Sequence, residues 1–109
     1  VHPEGIEAVL RGLPKVADAL VVGLPEPVWG ELVTALVVLT APSAPTAPSA
    51  PNLAHLRESV KERLGAPSAP RALGYLSTIP MVAPGKPDRA AGRALAAALS
   101  RESQLERLV

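Results

Sequence analysis

Apolar residues at Ile6, Val9, Leu10 and Leu13 recur at i, i+3, i+4 and i+7, the spacing of one face of an amphipathic helix. Pro3 suits its first turn, Glu4 and Glu7 oppose the dipole there, and Gly12 with Pro14 ends it. Two runs follow, residues 16–24 and 32–40, rich in β-branched side chains and separated by Pro25, Glu26 and Pro27. Both predict strands. Only Asp18 and Thr34 interrupt their apolarity, and such continuous runs imply a sheet covered on both faces, with helices on its two sides.

The pattern then changes. Pro42, Pro45, Pro48 and Pro51 recur every third residue among Ala, Ser and Thr, the repeat of a polyproline helix, so 41–52 reads as an extended linker. Asn52 is placed to cap a helix over 53–64, with Leu53, Leu56, Val60 and Leu64 on one stripe, His55 in solvent and Gly65 as the stop. A proline-constrained turn at 67–71 leads into a short strand over 72–78 containing Leu73, Tyr75 and Leu76. Asp88 is a natural N-cap for an alanine-rich helix over 89–99, and 100–109 either prolongs that helix or frays. The expectation is one α+β domain over 1–109, with a central sheet of about three strands and helices on both faces.

With 109 residues the chain can bury one ordinary core but not two. Eleven basic and ten acidic residues leave a formal charge of +1, so no global field argues for nucleic acid. Trp29 and Tyr75 are the only aromatics, which also removes the stacking platforms that single strands require. Without cysteine there is no disulfide or thiolate metal site, and His2 and His55 are too few for an imidazole site. Neither a membrane span nor a charged-then-apolar leader is evident, so a cytoplasmic protein is expected.

Residues 79–89 look chosen for chemistry rather than packing. Pro80, Pro84, Pro87 and Gly85 are expected to hold the backbone out of helix and strand around one cation, Lys86, just before a helix start. A compact ammonium beside a helix N-terminus suits phosphate or carboxylate oxygens, although a solvated loop lysine fits the same residues.

The stretch resembles the C-terminal signature of the AMP-forming acyl- and aryl-CoA synthetases and related adenylating enzymes, Leu/Ile-Pro-x-Thr-x-Ser-Gly-Lys-x-x-Arg. Pro80, Gly85, Lys86 and Arg89 fall on it, while Val82 and Pro84 replace the threonine and serine. Four further pieces are similar in the same order: the opening Val1-His2-Pro3-Glu4 with Ile6-Glu7-Ala8-Val9-Leu10, the run from Pro14 to Gly23, the turn Pro25 to Glu31 containing Trp29-Gly30-Glu31, and Ala69-Pro70-Arg71. The resemblance covers Val1 to about Leu95.

What the resemblance implies is the small mobile C-terminal lid of a larger ligase, inactive alone, whose partner is the large N-terminal domain of the same enzyme. That enzyme adenylates a carboxylic acid with ATP and then forms a thioester with CoA. Lys86 is the implied catalytic residue, and the implied cofactor-binding set is Trp29, Arg71 and Gly85. Trp29 flanks adenine, Arg71 pairs with phosphate, and Gly85, like Gly30, serves through backbone geometry. Mg2+ is expected in the parent enzyme, bound by the N-terminal domain. On the residues alone, Trp29 reads equally as a packed turn anchor and Arg71 as a surface charge. Two alternatives stand beside this reading: the C-terminal subdomain of an adenylation domain loading a carrier protein, and a freestanding protein-binding module.

Overall fold

A computed structural model of the chain describes residues 3–28, 30–40 and 52–107. Strands β1 (Val16–Glu26) and β2 (Gly30–Leu39) form an antiparallel hairpin in which Val21 faces Ala35. Side chains alternate across the pleat. Val16, Ala19, Val21, Ala35 and Val37 meet Ile6 and Leu10 of α1 (Pro3–Arg11) and Leu53, Leu56 and Val60 of α2 (Leu53–Leu64). Leu20, Val22, Leu24, Leu32 and Leu36 point the other way, onto Ala96 of α3 (Arg89–Arg101). The unbroken apolar runs are explained by these two cores, one on each face of a single sheet. Buried Thr34 is the exception, and its hydroxyl donates to the Leu32 carbonyl at 3.1 Å.

Both predicted caps of α2 are present. The Asn52 side chain accepts from His55 N–H at 2.9 Å, and Gly65, at φ +90°, donates its N–H to the Lys61 carbonyl. The predicted stripe is shorter than expected, because Leu64 remains 43% exposed. Residues 41–51 of the proline-rich linker lie outside the described residues.

Strand β3 (Ala72–Tyr75) pairs parallel to β2, with Thr34 opposite Ala72. Parallel neighbours need a crossover, and the segment containing α2 supplies it. The sheet holds four strands rather than about three, in the order β1-β2-β3-β6, because residues after α3 return to pair with β3 as β6 (Glu106–Arg107). Two contacts draw them back. Leu105 packs into the second core, close over Gly74, and the Glu106 carboxylate accepts from Leu53 N–H at the start of α2.

Gly92 sets the distance between α3 and the sheet. A Cβ built there would lie 2.5 Å from Leu20 Cδ2 and 3.3 Å from Val22 Cγ1. Gly92→Val is therefore expected to overpack the second core and destabilise the fold by ~1–3 kcal/mol, read as a lower urea midpoint. Tyr75 provides a pH test. Burial, and then the Glu106 carboxylate, raise its pKa above the ordinary tyrosine value. The folded state thus holds the phenolic proton more tightly than the unfolded chain. That stability is complete below the unfolded pKa and is lost as pH rises through the folded one. Tyr75→Phe should lose less stability than the parent as pH rises above about 10, measured by denaturation at each pH.

Candidate functional site: the lysine hairpin and its anchor

Residues around Lys86 are not held out of strand, as their prolines suggested. They form a small antiparallel hairpin, β4 (Met81–Ala83) with β5 (Lys86–Pro87), in which Ala83 faces Lys86. Pro84 and Gly85 make the turn. Proline at the first central position and glycine at the second, here at φ +76°, is the residue pattern of a type II turn. The prolines are tolerated because this two-stranded ribbon is separate from the main sheet. From Met81 to Lys86 every residue is exposed, and no described group bonds to the Lys86 ammonium.

Residues 81–86 are all exposed, and the bonds that tie the hairpin to the body lie at its base. On the incoming leg Ile79 is 4% exposed and belongs to the second core. Asp88 N–H donates to the Pro80 carbonyl at 2.9 Å and closes the base. Asp88 also caps α3 as predicted, its carboxylate accepting from Ala91 N–H at 3.0 Å. The outgoing leg continues directly into Arg89.

Arg89 carries the second anchor. Its guanidinium grips Glu7 of α1 in a two-pronged pair, Nη1 to Oε2 at 2.6 Å and Nη2 to Oε1 at 3.1 Å, and Nη1 also donates to the Val21 carbonyl at 3.0 Å. Glu7 is buried, and its Oε2 accepts from Val21 N–H at 2.8 Å. The Glu7 hydrogen bond holds the Arg89 pKa above its ordinary value, with desolvation opposing. Glu7 therefore does more than oppose the α1 dipole. The available signal was its place three residues before Leu10, at the rim of the apolar stripe.

Arg71 is placed by a different strand. Arg71 precedes β3 and donates its backbone N–H to the Val33 carbonyl, two strand positions inward from the β1 edge that Arg89 occupies. Since β2 and β3 run parallel, Arg71 lies at the end of the sheet where β2 begins, the end that carries the β1–β2 turn. Val28 in that turn is 80% exposed and Gly30 has φ +81°, while Trp29 lies outside the described residues. Gly85 and Lys86 thus belong to one region and Arg71 to another. Among the described residues no three His, Cys, Asp or Glu side chains gather where they could hold a metal ion. None of their helices is long and apolar enough to cross a membrane.

Asp88 couples hairpin and helix, so Asp88→Ala should destabilise the fold by ~1 kcal/mol through loss of the cap. Denaturant titration checks the magnitude, and Asp88→Asn, which keeps an acceptor, should recover most of it.

Comparison with known proteins gives the family of the fold. Residues 5–86 match the model of the AMP-binding enzyme C-terminal domain. A medium/long-chain-fatty-acid–CoA ligase of Mycobacterium tuberculosis is 39% identical over 95 residues, which is 86% of this chain and 17% of that protein. An acyl-CoA synthetase of Brucella canis superposes with a TM-score of 0.76 at 31% identity, over 92% of this chain and 18% of the other. The amide bond synthetase McbA of Marinactinospora thermotolerans gives 0.74 at 36% identity, over 87% and 18%. The chain therefore spans under a fifth of the length of these relatives. With its two-faced sheet and its lysine hairpin ahead of α3, this chain belongs to the AMP-binding enzyme C-terminal domain family.

Proposed function

We propose that this domain works as the lid of an AMP-forming acyl-CoA ligase and supplies the catalytic lysine, Lys86, to a pocket built by a large N-terminal domain. The observation that carries the reading is the geometry of the hairpin: an exposed ammonium on a short ribbon anchored to the body only at its base. Such a group is placed to reach into another domain.

In the first half-reaction a substrate carboxylate attacks the α-phosphate of ATP and displaces pyrophosphate. Lys86 meets carboxylate, ribose and phosphate oxygens as charge redistributes in the transition state. In the second, the CoA thiol attacks the acyl carbonyl and releases AMP. The lid rotates between the two, bringing the sheet end with Arg71 and the β1–β2 turn toward CoA. Arg71 pairs with a phosphate there, Trp29 flanks the adenine, and Gly85 lets the lysine turn form without strain. The separation of Arg71 from the lysine hairpin supports this division into two faces. CoA ligases among the relatives favour free CoA over a carrier protein as acceptor, and fatty acids are the proposed substrate class. The Mg2+ expected with ATP is assigned to the N-terminal domain. Absence of cysteine supports a cytoplasmic setting.

Lys86→Ala in the full-length ligase should lower adenylation, followed by pyrophosphate exchange, by about 10²- to 10³-fold, as for loss of one preorganised contact to developing charge. Thioester formation from supplied acyl-adenylate should survive. Equal loss of both half-reactions would contradict the assigned role.

A further inference from the structure

We infer that Glu7 is a positioning residue for Lys86, acting through Arg89, so that the direction of the lysine hairpin is set from α1 at the other end of the chain. The inference rests on the reading of Lys86 given above, but its first test does not.

Two anchors hold the hairpin and they differ in kind. On the incoming leg, Ile79 is sunk in the second core, which fixes depth. On the outgoing leg only two residues, Pro87 and Asp88, separate Lys86 from Arg89. Between the anchors the backbone bond from Asp88 to Pro80 makes the base a closed ring, so rotation of one leg carries the whole ribbon. Met81 to Lys86 are all exposed, Met81 by 46% and Val82 by 65%, so contacts there compensate little.

Glu7 is suited to fix the outgoing leg because its own position is over-determined. It is 2% exposed, its Oε2 is held by Val21 N–H, and both oxygens meet the planar fork of Arg89. A two-pronged pair fixes orientation as well as distance, which a point charge does not. Among the described residues the remaining charges facing the pair are Glu4, 3.8 Å from Arg89 Nη2, and Arg11, 3.9 Å from Glu7 Oε1, both longer contacts at exposed side chains.

The test uses Glu7→Gln, which keeps shape and an acceptor for Val21 N–H but removes one prong and the charge, and Arg89→Lys, which keeps charge but removes the fork. In this 109-residue chain, residual dipolar couplings of residues 81–88 relative to the β1–β2 body should change in both variants, while body couplings and the circular dichroism spectrum remain those of the parent. Hairpin couplings unchanged in both variants would overturn the inference, whatever Lys86 does in catalysis. In the full-length ligase the same variants should slow adenylation by up to about 10²-fold, the scale of an ångström-sized misplacement, with thioester formation from supplied acyl-adenylate within about twofold of the parent. Hairpin couplings that shift while adenylation is unaffected would overturn the catalytic reading of Lys86 and leave its positioning by Glu7 standing. If Glu7→Gln unfolds the chain, Arg89→Lys alone decides.

Discussion

Strand β1 lies at the edge of the sheet, yet helices cover both of its faces, so its outward backbone groups must find partners other than a neighbouring strand. Side chains provide them. Ala19 N–H is taken by the Asp18 carboxylate and its carbonyl by Arg11, while Val21 N–H is taken by Glu7 and its carbonyl by Arg89. Pro25, which alternates with these residues, has no N–H to satisfy at all. At Ala19 and Val21 the edge is met by charged side chains.

Using a carboxylate for this purpose imposes a second requirement. A buried charge without a partner is costly, and two-pronged pairing with further hydrogen bonds is what offsets the lost hydration. Glu7 therefore requires Arg89, and Arg89 sits where α3 begins. Residues 7, 21 and 89 become one knot joining the first helix, the first strand and the last helix. Depth of packing is set separately, by Gly92 against Leu20 and Val22 on the same helix. Between them these contacts leave α3 little freedom, and the hairpin that leads into it inherits that constraint.

The two cores and the hairpin divide the labour. The body is made of aliphatic side chains on both faces of one sheet, and with so few aromatics it relies on many small contacts. The hairpin stays exposed from Met81 to Lys86, and its described bonds to the body lie at its base. The contrast is between a firm body and an exposed ammonium that stands clear of it.

Much of this was legible in the chain. The apolar spacings of α1 and α2, the two-faced strands, the caps at Asn52 and Asp88 and the stop at Gly65 are local properties, set by periodicity and by hydrogen bonds within a few residues. The exposed lysine was equally plain, because prolines and a glycine around one cation leave it few places to hide. The hairpin was not. Its prolines argue against strand, and only the bond between Asp88 and Pro80 with the Pro84-Gly85 turn shows that a separate two-stranded ribbon accommodates them. Nor could the sequence announce β6, whose two residues have no strand signal and owe their place to Leu105 over Gly74 and to Glu106 at the head of α2. The partner of Glu7 lies 82 positions away. Pattern along the chain determines which faces are apolar and where elements begin and end, because those depend on near neighbours. Which acid meets which base was decided only when remote segments shared the edge of one strand.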